Sequence, residues 1–396
     1  MFLDLLRRRN QELIDAAIRF HQAGHLPANT YVLDADAIAH NAAIITDEAK
    51  RLGLTVFAMT KQIGRNPDIS KVLAAAGLPA SVAVDMHCAR ATVSAGMSLG
   101  HIGHLVQVPK AEAGAAAAMA PENWTVFNLE KAREAAAASA ATGRNQRLLA
   151  RIYADDDEFY TGHEGGFPAT AILKTADLLD SLESAHFGGI TTFPALLFDP
   201  AARRIRPTRN LATLEATASL LRGSGREHIE INAPGTTSTV MLQALADAGA
   251  TQVEPGHALS GTTPLHALED LPERPATCYL SEVSHLYGGR AYCFGGGTYV
   301  DPVFPKYQVK AIVGRSPESA RIVDAKLPPA EAIDYYAQLF PEKDNKLSVG
   351  ESVVFGFRAQ AFVTRAYTAA ISGLSTGNPR VEGIWSSDGS PTTWPY

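Results

Sequence analysis

Val56-Phe57-Ala58-Met59-Thr60-Lys61-Gln62 reads as a short strand that ends in a lysine. Four apolar residues in a row leave no polar face for solvent, as in a strand covered on both sides. Runs of the same kind recur at residues 82–84, 104–108, 124–127, 148–153, 187–191, 229–232 and 252–254. Alanine-rich segments of helical period lie between them, at 111–120, 129–141 and 211–221 for example. Strand and helix thus alternate about eight times over roughly 210 residues, which predicts an α/β fold built on a (β/α)8 TIM barrel. A doubly wound open sheet gives a similar string, but the count near eight favours the barrel.

The flanks read differently. Residues 8–23 have the spacing of an amphipathic helix, Leu26-Pro27-Ala28 breaks it, and 30–33 is a short strand. Prolines cluster at 269–275, as in a linker, and alternating runs follow at 277–284, 290–294, 306–314, 352–363 and 366–371. The expected organisation is an N-terminal helical segment (1–28), a barrel (29–272) and a C-terminal, mostly-β domain (273–396).

Composition narrows the function classes. A net charge of -6 on 396 residues argues against a nucleic-acid partner, which wants clustered Lys and Arg. The densest basic run, Arg7-Arg8-Arg9, reads as a solvated helix face. No apolar stretch is long enough to span a bilayer, and the apolar start followed by arginines reverses the order of a secretory signal. Cys88, Cys278 and Cys293 are scattered, form no zinc pattern and suit a reducing compartment. The expected location is the cytoplasm.

In a barrel the chemistry lies at the carboxyl ends of the strands. Lys61 puts an amine there, suited to a Schiff base; a lysine reaching out to solvent is the plainer reading. After the seventh strand come Gly235-Thr236-Thr237-Ser238-Thr239 and a helical stretch at 240–248, a pattern for cradling an anion or for capping a helix. The eighth strand ends in Glu254-Pro255-Gly256-His257, with Ser260-Gly261-Thr262-Thr263 beyond it. Glu254 suits a protonated ring nitrogen, or an ordinary surface ion pair. An amine, an anion cradle and a carboxylate at one barrel mouth match the aldehyde, phosphate and pyridine nitrogen of pyridoxal 5'-phosphate (PLP).

Several stretches resemble the fold-type III PLP enzymes, the alanine racemase and ornithine/diaminopimelate decarboxylase superfamily, and within it the YhfX-type group of amino-acid racemases. They are Tyr31-Val32-Leu33-Asp34-Ala35-Asp36-Ala37 with Asn41, Phe57 to Pro67, Glu164-Gly165-Gly166-Phe167, and Glu254 to Pro264. The resemblance covers essentially the whole chain. It implies PLP on Lys61 as a Schiff base and a phosphate site built from Arg65, Gly235, Thr236, Thr237, Ser238, Gly256, His257, Ser260, Gly261 and Thr262. It also implies a homodimer with shared active sites and an amino-acid substrate. Glu254 stands where alanine racemases carry an arginine and the decarboxylase branch a glutamate, which eases formation of a Cα carbanion. The D-threonine aldolase branch holds a metal in its β domain; Gln360 and Phe362 stand where those ligands would be, so no metal is expected.

Arg358 and Gln360, two apart on an expected strand, share a face, and Arg358 is a candidate clamp for a substrate carboxylate. Tyr299, after Gly295-Gly296-Gly297, is the candidate acid/base partner of Lys61, with Tyr287, His285, Tyr292 and Cys293 as competitors. His163 is a candidate substrate contact; Asp85 and His87 are weaker ones. The expected activity is PLP-dependent amino-acid racemisation or epimerisation. Decarboxylation, D-amino-acid aldol or lyase chemistry, and a PLP-homeostasis role are the alternatives.

Overall fold

The computed structural model describes every residue except Ala330, Lys343, Asn345 and Tyr396. The chain forms two compact units, one of residues 42–60 and 73–256, the other of 1–41, 61–72 and 257–396.

In the first unit, eight parallel strands follow one another: Thr55–Val56, Ala80–Ala83, Ser98–Ile102, Asn123–Val126, Gln146–Tyr153, Ala185–Thr191, Glu230–Asn232 and Gln252–Val253. The last pairs with the first through Gln252↔Thr55, and Ala58 bridges Ser81, so the ring closes. The expected TIM barrel is present. Its strand ends are continuous with the loops that matter: Phe57 and Met59 N–H still donate to Val253 and Pro255 carbonyls, at 3.0 and 2.9 Å. One strand is displaced from expectation. Residues 104–108 follow the strand rather than form it, and Ser98–Ile102 takes its place. That strand buries His101 among its apolar residues, so it never shows as an apolar run.

The second unit is antiparallel. Thr277–Tyr287, Arg290–Phe294, Tyr336–Phe340, Arg321–Lys326, Lys310–Gly314 and Ser352–Phe355 close into a small barrel of their own around Val283, Leu339, Val353 and Phe355. Thr30–Asp34 lies against Thr277–Tyr287 in the register Thr30↔Leu280, with Tyr367–Ser372 and Arg380–Ser386 beyond it. The strand near residue 30, assigned from the sequence to the barrel segment, therefore belongs to the antiparallel sheet. The expected N-terminal helix is two, Phe2–Arg9 and Gln11–Gln22, broken at Asn10. The Asn10 side chain accepts from Leu13 N–H, as an N-cap does, and donates to Asp34 and to the Pro275 carbonyl.

The expected strand through 356–362 is absent. Extended pairing stops at Phe355, and a 3₁₀ turn covers Ala361–Val363. Alternation along a strand therefore does not relate Arg358 to Gln360.

Candidate active site

Glu254 follows the eighth barrel strand and is fully enclosed. Its Oε1 lies 2.5 Å from His101 Nδ1 and accepts from Asn232 Nδ2 at 2.9 Å. Thr191 donates to Asn232 Oδ1 at 2.7 Å, which fixes the amide's orientation. His101 Nε2 lies 2.6 Å from Thr125 Oγ1. Glu254 Oε2 has His104 Nε2 at 3.3 Å but accepts no hydrogen bond. Thr191, Asn232 and Glu254 come from one run of neighbouring strands and His101 and Thr125 from another, and parallel pairing aligns the carboxyl ends within each. Burial works to raise the Glu254 carboxyl, but His104 and His101, with the His101 and Asn232 hydrogen bonds, hold it down to about 2.

Arg151, in Gln146–Tyr153, is also fully buried. Its Nη2 donates to the His163 carbonyl at 2.8 Å and the Phe193 carbonyl at 3.3 Å, and its Cζ lies 4.9 Å from the Phe127 ring centre. Nε and Nη1 have no hydrogen-bond partner, and among the described residues no carboxylate pairs with it. Burial without a counter-ion brings its pKa down to about 10. The Phe193 ring connects this region to the Glu254 group: it stacks on His163 at 5.9 Å and stands edge-on to His104 at 5.6 Å.

The 233–239 loop passes next to the same segment, with Ala195 N–H donating to the Pro234 carbonyl at 2.8 Å. Gly235 has φ +132°, and a Cβ there would sit 2.9 Å from the Leu196 carbonyl oxygen, so only glycine fits. Thr236 and Thr237 hydroxyls reach backbone carbonyls, at 3.3 and 3.5 Å. The buried hydroxyls of Ser238 and of neighbouring-loop Thr192 make no hydrogen bond. The expected helical stretch is present as a 3₁₀ turn, Thr239–Met241, running into the α-helix Leu242–Asp247; with only six α-helical residues its dipole contributes little. The case for an anion rests on the hydroxyls instead.

In the second unit, Lys61 opens a 3₁₀ turn, Lys61–Ile63, and its ammonium lies 5.0 Å from the Phe362 ring centre. Arg65, buried and at φ +52°, shares that ring at 5.8 Å. Phe362, at the position where the aldolase branch would have a metal ligand, is thus a cation–π platform for both. His257 Nε2 donates to the Ala359 carbonyl at 3.0 Å. Burial, then Arg358 and Lys61, push its pKa well below the usual value, so it is a neutral ring. Ser260 donates to the His257 carbonyl and meets Thr262 Oγ1 at 2.8 Å, while Thr262 accepts from Ala359 N–H at 3.3 Å. Gly261, at φ +61°, passes so close to the Arg274 carbonyl that a Cβ would lie 2.1 Å from it. These three side chains brace the 257–262 and 357–360 segments against each other.

Arg358 is not an open clamp. Its Nε and Nη2 bind both oxygens of Asp301, at 2.9 and 2.7 Å, and Nη2 reaches Tyr299 Oη at 3.5 Å. The Tyr299 phenol is raised from its ordinary value, by burial first, with Arg358 opposing and Asp301 adding. Among the competitors, Tyr287 and His285 are exposed, and His285 stacks on Tyr292 at 4.6 Å. Burial pushes the Cys293 thiol up to about 12, which leaves it inert. Asp85 is a helix cap, accepting from Cys88 N–H, and His87 is exposed.

His101, His104, Thr125, Asn232, Arg151 and Asp301 were not singled out from the sequence. Among the described residues, His101, His104 and Glu254 are the group whose donor atoms approach closely enough, within 4.8 Å, for a metal to be considered. Both His101 nitrogens are engaged with Glu254 and Thr125, so the group reads as a hydrogen-bond network.

Comparison with known proteins fits this architecture. Residues 33–264 match the alanine racemase N-terminal domain, and residues 278–381 match the YhfX-like C-terminal domain. The chain belongs to the alanine racemase-like family of enzymes, in the group that carries a YhfX-like C-terminal domain. It is 38% identical to Uncharacterized protein YhfX of Escherichia coli (strain K12) over 98% of this chain and 99% of that one. Similar solved structures include D-threonine aldolase from Filomicrobium marinum, with a TM-score of 0.67, 16% identity, and coverage of 92% of this chain and 96% of that one. Alanine racemase of Clostridium difficile 630 gives 0.63, 15%, 91% and 99%. D-threo-3-hydroxyaspartate dehydratase from Delftia sp. HT23 gives 0.63, 15%, 90% and 97%. Among the described residues no helix is long and apolar enough to cross a membrane.

Proposed function

We propose that this chain is a PLP-dependent enzyme acting at the Cα of an amino acid, as a racemase or epimerase. Glu254 carries the reading: a fully buried carboxylate, held ionised, with one oxygen satisfied and the other awaiting a donor. A protonated pyridine nitrogen is such a donor. The other buried polar atoms without partners fit the same group. Ser238 Oγ and Thr192 Oγ1 suit a phosphate, and Arg151 Nε and Nη1 suit an anionic oxygen of the cofactor or of a substrate carboxylate. Members of this fold family use PLP, and when bound it supplies an electron-accepting ring conjugated to the substrate's Cα.

On this reading Lys61 holds the cofactor's aldehyde carbon through its amine, and Arg65, Gly235 to Ser238 and the 256–262 loop serve its phosphate. His257 keeps the 257–262 loop in place through Ala359. The Lys61 amine would take the Cα proton as a base, and the Tyr299 hydroxyl would supply the returning one. Asp301 and Arg358 then serve to orient the Tyr299 phenol rather than to bind substrate directly. His163 stacks its ring on Phe193 and gives its backbone carbonyl to Arg151, and its side chain is the proposed substrate contact.

Glu254 also favours a second reading. A charged counter-ion for the ring stabilises any carbanion at Cα, so a lyase, aldolase or decarboxylase is served equally well by it. The test of the common core is spectroscopic. Purified protein given PLP should develop a visible absorption band removed by borohydride reduction, with the label on Lys61; Lys61→Ala should lack it. A wild type that binds no PLP overturns the proposal.

A further inference from the structure

Glu254 presents two different oxygens. On the reading above, Oε2 meets the cofactor and Oε1 is spent on the protein. The distances place the burden of Oε1 on His101, at 2.5 Å and completely enclosed. An ionised carboxylate only accepts, so His101 Nδ1 carries the hydrogen. Its Nε2 faces the Thr125 hydroxyl at 2.6 Å, and a hydroxyl donates or accepts as required. Thr125 sits within the strand Asn123–Val126, paired on both sides, so its hydroxyl is a fixed stop for the ring.

We infer that His101, oriented by Thr125, is a positioning residue that keeps Glu254 a carboxylate and aims its Oε2 at the cofactor's ring nitrogen. The relay Thr125–His101–Glu254 joins the fourth, the third and the end of the eighth strand of the barrel. Its effect follows from the hydrogen bond to a charged oxygen. With that donor in place Glu254 stays ionised and could hold a protonated ring nitrogen. Without it, a carboxyl in so dry a place takes the proton itself and would no longer serve as that nitrogen's counter-ion.

The inference rests on the PLP reading, and the test separates the two. His101→Leu removes the donor; His101→Asn keeps a donor near the Nδ1 position; Thr125→Val keeps the imidazole and removes its stop. In PLP-loaded protein, His101→Leu should shift the cofactor's absorption bands and lower kcat about tenfold or more, the size of one lost hydrogen bond to a charge. KM should change little. His101→Asn should restore most of both readouts, and Thr125→Val should move them in the same direction as His101→Leu but less. If the leucine variant does not fold, the other two decide. In protein without cofactor, imidazole ¹⁵N spectra should show His101 as the Nδ1–H tautomer with a far-downfield proton that moves in Glu254→Gln.

An Nε2–H tautomer, or variants whose spectra and kcat match the wild type once loaded, would overturn the inference and leave the PLP reading standing. A wild type that takes up no PLP overturns both.

Discussion

Glu254 keeps its charge away from water because the barrel supplies the solvation that water would have given. Two hydrogen bonds reach Oε1, and two imidazoles lie against the carboxylate. The consequence for stability has a definite sign. The folded pKa is depressed, to about 2 from an ordinary 4.5, so ionised Glu254 contributes stability that is fully present above about pH 4.5. That contribution is lost as the pH falls from there toward 2. Glu254→Gln should flatten the acid side of a melting-temperature profile over this range while lowering kcat by on the order of a hundredfold. A variant that keeps the wild-type acid profile would contradict the low pKa.

At this scale the sequence told part of the story. Glu254, directly after an apolar run, and Lys61, two residues past one, stand out in the sequence because a barrel puts its chemistry at strand ends; their roles toward a cofactor remain the proposal. Arg151 was not, since a single arginine within 148–153 looks like a residue at a strand's surface until its burial is seen. Arg358 was legible as a charge but not in its partner, because Asp301 lies 57 residues away and no local pattern joins them.

Elements show why one strand escaped notice. Ser98–Ile102 alternates small, apolar and polar residues because it lines a polar interior, and His101 is the reason. The strands of the β domain at Arg321–Lys326, Tyr336–Phe340 and Arg380–Ser386 were also missed, being half-exposed and rich in charged or aromatic residues. The sequence points to the loop after Glu230–Asn232 through its hydroxyl residues and the helix behind them. Its helix is one and a half turns, and the loop instead depends on Gly235. Gly235→Ala forces a Cβ against Leu196 in a left-handed conformation, and should destabilise the fold by about 1–3 kcal/mol. It should weaken PLP retention as well; both are read by thermal melts with and without cofactor. An alanine variant with unchanged melts would remove the loop from the phosphate site.

Over the whole molecule, the sequence carried the barrel and the β domain, since strand–helix alternation and the proline-rich change near 269–275 survive without coordinates. It did not show that residues 30–34 leave the barrel segment for the antiparallel sheet, because strand pairing between residues 250 apart leaves no local mark. The β domain also exposes large apolar and aromatic side chains, Tyr287, Ile333, Tyr335 and Val300 among them. The family resemblance implies a homodimer, in which a second copy would cover part of that surface. Light scattering should give a mass near twice 42.1 kDa. A monomer at micromolar concentration would contradict it.

Cα-hydrogen exchange in D2O, followed by NMR on PLP-loaded protein across a panel of L- and D-amino acids, tests the central claim most directly. The account predicts that at least one amino acid loses its Cα proton signal and yields its enantiomer, and that Lys61→Ala does neither. Conversion of the amino acid to an amine or an aldehyde would move the assignment to a decarboxylase or an aldolase. No exchange and no product with any amino acid, in protein whose cofactor band is plainly present, would contradict catalysis at an amino-acid Cα.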